Sequence, residues 1–123
     1  MNKAKVCIWG RDFELPVSFQ NFPGEEVTKM QNMMLDTIPT IDYSDSLAMV
    51  EQYIMKYNGF EIGTDHIDNI FKYVMPKSVL VTRNEKERCF AIICNYKFDM
   101  EHGLAVVYEN EKYKTVGAQD IIL

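Results

Sequence analysis

Basic residues are in short supply in this chain: 13 lysines and arginines face 18 aspartates and glutamates, a formal net charge of -5. An acidic surface repels phosphate backbones and anionic headgroups, so nucleic acid and charged membranes are not expected partners. The six glycines are scattered singly, which leaves no loop to cradle a phosphate. Neither a G-x-S-x-G elbow nor a zinc-finger spacing occurs. Apolar runs stop well short of the roughly 20 residues that cross a bilayer. The amino end is basic and then apolar, but charge returns at Arg11 and Asp12, too soon for a secretory leader. The chain reads as cytosolic, with no membrane partner and no implied cofactor.

Cysteine is also sparse. Cys7, Cys89 and Cys94 are an odd number with no C-x-x-C pair. Cys89 and Cys94 stand an odd number of positions apart in one strand-like run. That sends their thiols to opposite faces, where they can neither bridge nor share a metal. Free, buried thiols are expected, inert beside either histidine.

What the chain does contain is apolar: 47% of 123 residues, enough for one domain with its own core. Residues 5–9 and 13–19 are β-rich runs that predict a hairpin, joined through a turn at Gly10-Arg11-Asp12. Pro16 marks the second run as an edge or interrupted strand, since it lacks a ladder donor. Helical periodicity then predicts three helices. The first spans about 24–37, with Glu25 and Glu26 in its first turn and Pro39 beyond its end. The second spans about 45–57, capped by Ser44, carrying Leu47, Val50, Ile54 and Tyr57 as a stripe and stopped by Asn58-Gly59. The third is short, about 65–73, capped by Thr64 or Asp65 and ended by Pro76.

The period then changes. Residues 78–82, 88–98, 104–108 and 113–116 read as successive strands, with Asn84-Glu85-Lys86-Glu87 and Asn110-Glu111 as connections. The run Ile121-Ile122-Leu123 is apolar enough to be tied down. The expected fold is α+β: an N-terminal hairpin, three helices and a C-terminal antiparallel β-meander, as a two-layer sheet packed by helices. The run from Cys89 to Cys94 is apolar on both alternating faces, so its strand must be covered on both sides.

Two polar clusters invite a chemical reading. Asp99, Glu101 and His102 offer carboxylates and an imidazole for a metal or for acid–base work, followed by the turn residue Gly103. Strand parity would put both acids on one face and His102 on the other, so a bulge would be needed to bring them together. A bulged corner whose Asp bonds local amides is the competing reading. His66 and Asp68 suggest a base and its orienting acid, but the position also explains itself as a helix start. Met33, Met49 and Tyr53 fall off the apolar stripes, and exposed Met and Tyr beside acids suit a protein-binding surface.

The tail carries a resemblance. Asp99-Met100-Glu101-His102-Gly103, an apolar strand, a turn, a second strand and Gly117-Ala118-Gln119-Asp120 resemble a family of small bacterial domains of unknown function. Its signature looks like Asp-x-Glu-His-Gly followed by Gly-x-Gln-Asp, and the likeness covers roughly 68–123, a little under half the chain. Glu111 stands where a glycine is common in that turn. Some such small acidic domains look like immunity partners of bacterial toxins, an association rather than a mechanism. The resemblance implies a marker of Asp99, Glu101, His102, Gly103, Gly117, Gln119 and Asp120, functional or structural, without naming a reaction. If the tail returns beside Asp99, the two polar segments can lock a corner.

The preferred expectation is a non-enzymatic cytosolic binding protein of bacterial type, an immunity-like inhibitor in its most concrete form. The alternatives are a small metal-binding or hydrolytic domain centred on Asp99, Glu101 and His102, and an obligate homodimer subunit whose uncovered sheet face is the contact.

Overall fold

The computed structural model describes residues 2–21, 23–83 and 88–122. Alternating burial runs along β1 (Asn2–Ile8), whose Ala4, Val6 and Ile8 face inward, and through the middle of β2 (Arg11–Phe19), whose Leu15 and Val17 do the same. The strands pair antiparallel with Ile8 opposite Arg11. Their turn is therefore Trp9-Gly10, both at positive φ (52° and 84°), the geometry of a two-residue hairpin. It lies earlier than the expected Gly10-Arg11-Asp12.

The first helix, α1 (Lys29–Thr37), starts later than its acids suggested. Thr28 accepts from the Gln31 backbone N–H, and the Gln31 side-chain oxygen accepts from the Thr28 N–H. That reciprocal cap outweighs the dipole preference of Glu25 and Glu26, which precede the helix. A 3-10 turn at Ile38–Thr40, with Pro39 near its start, ends this stretch. A second 3-10 turn, Ser44–Ser46, leads into α2 (Leu47–Ile62). Asn58-Gly59 does not stop α2. Asn58 leaves helical geometry (φ -136°), yet the helix resumes and ends at Gly63 in the left-handed region.

The third expected helix is absent. The Thr64 hydroxyl donates to the His66 carbonyl at 2.8 Å, and the His66 ring sits between the Asp65 and Asp68 carboxylates at 3.0 and 2.9 Å. Such local side-chain bonds compete with helix formation. Asn69 then accepts from the Phe71 N–H and caps a single 3-10 turn, Ile70–Lys72. The strands β3 (Val74–Val81), β4 (Cys89–Tyr96), β5 (Leu104–Glu109) and β6 (Lys112–Gly117) follow. The expected turn at 84–87 and the terminal Leu123 lie outside the described residues.

These strands form one six-stranded sheet in the order β1-β2-β3-β4-β5-β6. Neighbours are antiparallel except β2 and β3, which are parallel over Val17–Phe19 and Val79–Val81. The expected architecture is thereby corrected. The described residues form two α-helices rather than three, and the hairpin and the late strands are halves of one mixed sheet rather than a hairpin and a separate meander. A parallel joint needs a long crossover, and the helical segment supplies it. Pro16 does not make β2 an edge. Its strand pairs with β3 only from Val17 onward, so the missing N–H falls where no β3 partner exists.

The crossover places both helices on one face of the sheet. Met34, Ile38, Tyr43, Val50 and Ile54 pack there against Val6, Leu15, Val79, Phe90, Ile92, Leu104 and Tyr108. The rings of Tyr43 and Tyr108 meet edge to face at 5.1 Å, and Phe90 stacks on Tyr108 at 5.5 Å. The start of α2 is pinned to the sheet by polar bonds: Trp9 Nε1 donates to Ser46 Oγ (3.0 Å) and the Tyr108 hydroxyl to Asp45 (2.8 Å). The opposite face carries a second, smaller cluster of Cys89, Ala91, Ala105 and Val107, with Ile93 and Ile122 against it. Small side chains let Ile122 lie close, so the tail supplies part of the second cover that β4 required.

Gln31 is buried where the crossover meets the parallel joint. Its Nε2 donates to the carbonyls of Gln20 (3.1 Å) and Val81 (3.5 Å) while its Oε1 serves the α1 cap. Replacing Gln31 by Leu keeps the volume and removes these bonds. The expected cost is about 1–3 kcal/mol in denaturant unfolding despite the gain in hydrophobicity. A variant as stable as the parent would show that the amide is dispensable.

Candidate functional site

The Asp99 segment is a compact turn rather than a strand, so strand parity does not govern it. The Asp99 N–H donates to the Tyr96 carbonyl (3.1 Å), and the Gly103 N–H to the Asp99 carbonyl (2.9 Å). That winding brings Asp99 and His102 together three positions apart. The Asp99 carboxylate accepts from the His102 backbone N–H at 3.1 Å and lies 3.1 Å from its Nδ1. The backbone bond, then the imidazole, hold Asp99 below the usual carboxylate range. The Asp99 bond raises His102 above its ordinary value, helped by the charges of Glu101 and Asp120. Glu101 is exposed on the turn.

The tail returns to this corner through Gln119. Its backbone N–H donates to the His102 carbonyl (3.0 Å), and its Nε2 donates to the Cys94 carbonyl at the end of the β4–β5 pairing (3.2 Å). Gly103 makes the fit possible. At φ +60° it sits in the left-handed region, and a Cβ there would fall on the Gln119 amide and 2.8 Å from the Cys94 carbonyl oxygen. Gly117 is buried, and a Cβ on it would press on the Ile121 side chain at 3.1 Å. Asp120 is exposed and reaches His102 only through its charge. Of the signature residues, Asp99, His102, Gly103 and Gln119 form one interlocked corner, and Gly117 shapes the tail that feeds it.

Its chemistry is limited. Among the described residues, no group of three or more His, Cys, Asp and Glu side chains is arranged to hold a metal ion. The three cysteines are free. Burial pushes the Cys94 thiol far up, away from the thiolate. Cys7 departs from expectation, being exposed on β1. The second histidine, His66, is a surface imidazole held by Asp65 and Asp68, each acceptor-only, and its pKa is raised. No α-helix starts at this position, which corrects the expectation that Thr64 or Asp65 caps one. Among the described residues, no helix is long and apolar enough to cross a membrane.

Large apolar side chains remain in water around α2 and the corner. Phe60 is 97% exposed, Met100 64%, Tyr57 59% and Met33 53%. Met33 and Met49 are exposed, as their off-stripe positions suggested, whereas Tyr53 is half-buried. Tyr57 was expected within the buried stripe and lies outside it. Phe60 was missed because Asn58-Gly59 read as the end of the helix. The available signal was the apolar Phe60 and Ile62 beyond that dipeptide, at spacings that continue α2. Tyr57 leads into a chain of rings: Tyr57 to Tyr53 at 4.7 Å, Tyr53 to Tyr96 at 6.1 Å and Tyr96 to Phe98 at 5.7 Å. The Tyr96 hydroxyl donates to the Asn58 side chain, tying the helix kink to β4.

A model of the family described as "Domain of unknown function (DUF6985)" matches residues 2–123. The chain belongs to that family, and the match extends well beyond the C-terminal part that carried the resemblance. Neither the curated proteins nor the solved structures contain a match to it.

Two outcomes follow from the corner. Gly103→Ala should cost at least about 2 kcal/mol through strained backbone and collision, and Gln119→Ala about 1 kcal/mol. Combined, they should cost less than their sum in chemical denaturation, because one colliding side chain is gone. Strict additivity would separate the two residues. The His102–Asp99 pair sets a pH window. The histidine's contribution is fully present below its unfolded value of 6.5 and is lost as pH rises through the higher folded value. The aspartate's is present above 3.8 and is lost as pH falls through its lowered folded value. Both are intact between those two unfolded values. In an NMR titration, Asp99→Asn should lower the His102 midpoint, and an unmoved midpoint would assign the shift to another group.

Proposed function

We propose that this member of the DUF6985 family is a non-enzymatic binding protein of bacterial type whose ligand is another protein. Its most specific form is an immunity-like inhibitor that occludes a toxin. The observation that carries the reading is Phe60, 97% exposed near the end of a helix whose other face is firmly packed. A phenyl ring left in water forgoes the free energy of its burial, and aromatic side chains held on rigid elements are the anchors on which protein interfaces concentrate their energy. Exposed Met33, Met49, Tyr57 and Met100 add the residue types enriched at such surfaces.

The arrangement of reactive groups supports the same reading. His66 engages both ring nitrogens with Asp65 and Asp68, and the Cys94 thiol is sealed in the core. Against the alternative centred on Asp99, Glu101 and His102 stands the engagement of the Asp99 carboxylate by the turn as well as by its histidine. The acidic balance of -5 suits a basic partner through electrostatic steering.

Co-expression with the product of the adjacent gene tests the proposal. A toxin-like neighbour should arrest growth alone, be neutralised by this protein, and elute with it as one complex. A neighbour that remains toxic and elutes separately would count against the immunity form. A protein that stays monomeric and unbound to every neighbouring product would overturn the reading as a whole.

A further inference from the structure

β1 and β6 are the two edge strands of the sheet, and their outer backbone groups meet different surroundings. The β1–β2 turn is two residues long, so Ile8 and Arg11 flank it as a hydrogen-bonded pair. Alternation along the unbroken register makes Val6 with Phe13 and Ala4 with Leu15 hydrogen-bonded pairs too. The N–H and C=O groups of Lys3, Lys5 and Cys7 therefore point away from β2, along the open edge. No other described part of the chain takes them up. An open hollow of about 570 Å³ lies against the strand, lined in part by Lys5, Val6, Cys7 and Pro39.

The opposite edge is guarded. The β5–β6 register breaks between Val107 and Tyr108, and the Tyr113 N–H donates to the Asp45 carboxylate at 3.4 Å. Bulges and blocking side chains keep an edge from pairing. β1 runs for seven residues in regular register, with no such block among the described residues. Its deterrent is charge. Lys3 and Lys5 are exposed on the face away from the helices, since Ala4, Val6 and Ile8 face inward.

Resting on the reading of this protein as a protein-binding domain, we propose that β1 is a recognition edge, which takes up an extended acidic segment of the partner as a seventh strand. Main-chain bonds to Lys3, Lys5 and Cys7 hold the segment, and charge selects it. Residues directly opposite across a ladder share a face, so the positions facing Lys3 and Lys5 are acidic. Lys5 enters no ion pair among the described residues, and Lys3 reaches Glu14 only at 3.9 Å, both side chains more than half exposed. The β2 acids of this face, Asp12 and Glu14, stand one strand further in, so the lysines separate them from the incoming strand. Positions between the acids face the helix side and are apolar, continuing the row of Ala4, Val6 and Ile8. A second copy is the poorer occupant. Both edges carry lysines, Lys3 and Lys5 on β1 and Lys112 and Lys114 on β6, and like charges opposed across a ladder repel. The net charge of -5 acts on approach, whereas groups within a Debye length decide register at contact.

The test adds to the full chain a short peptide alternating valine and glutamate, with a valine–lysine peptide as control, and follows backbone amides by NMR at physiological salt. Shifts should concentrate in 2–8. With peptide at about ten times its dissociation constant, the Lys3, Lys5 and Cys7 amides should exchange about ten-fold more slowly. Lys5→Pro removes an edge donor and spares the β2 ladder, so it should abolish binding. Lys3→Gln/Lys5→Gln should raise the dissociation constant about five-fold or more. Lys112→Gln, an exposed lysine of the other edge, should leave it unchanged. Unchanged spectra elsewhere verify folding, and where Lys5→Pro does not fold, the double variant and the exchange rates decide. Equal binding of the lysine peptide, shifts spread over both edges, or no binding at millimolar peptide would overturn the assignment. So would dimerisation that protects the same amides without peptide, which would make a second copy the occupant. A partner found by co-expression that binds Lys5→Pro as tightly as the parent would also overturn it, although the binding function itself would stand. Peptide binding confined to β1 supports the edge even where no neighbouring gene product binds.

Discussion

The short parallel joint between Val17–Phe19 and Val79–Val81 is the constraint on which the rest of the structure depends. The other strand neighbours pair antiparallel, and β1–β2 and β5–β6 close through two-residue turns. The joint cannot close that way, since parallel strands must be reached by a crossover. Both helices lie in that crossover and cover the same face. One face therefore carries Tyr43, Phe90 and Tyr108, while the other holds a thin cluster that Ile122 helps to cover. Gln31 ties the helical layer to the joint, and the Gln20 N–H extends the ladder by donating to the Val81 carbonyl at 2.9 Å.

Elements whose cause is local were legible in the sequence, and those fixed from a distance were not. The late strands show as runs of Val, Ile, Cys and Tyr, and β4 shows as a central strand because Cys89, Ala91 and Ile93 are apolar opposite Phe90, Ile92 and Cys94. The parallel joint left no trace, since its partners are far apart in sequence and neither strand depends on the other for its pattern. The helix stop failed for a similar reason. Asn58-Gly59 has the composition of a left-handed cap, but the Asn58 side chain is claimed by the Tyr96 hydroxyl, and Gly63 provides the terminus instead. The missing third helix is a competition between two local outcomes. Thr64, Asp65 and Asp68 have the composition of a helix start, yet they bond to His66 and its carbonyl first.

The same distinction holds at the corner. Its composition was visible: two acids, a histidine and a glycine between apolar runs. Its geometry was not, because a strand period was applied to a segment that turns. Once Gly103 donates to the Asp99 carbonyl, Asp99 and His102 meet without a bulge. Gln119, rather than Asp120, makes the contact from the tail, since the amide can donate to the Cys94 carbonyl and a carboxylate cannot.

Where a polar group spends its bonds decides what remains for a ligand. Asp99, His102 and Gln119 are committed to one another and to the backbone, so the most conspicuous residues of the chain are occupied in holding β4, β5 and the tail in register. Phe60 bears no comparable obligation. It buries almost nothing in the free protein, so a partner that covers it recovers nearly its full transfer free energy, roughly 1.5–3 kcal/mol for a side chain of that kind. The corner gives this helix end its rigidity, because Tyr96 lies between them, bonded to Asn58 on one side and packed on Phe98 on the other.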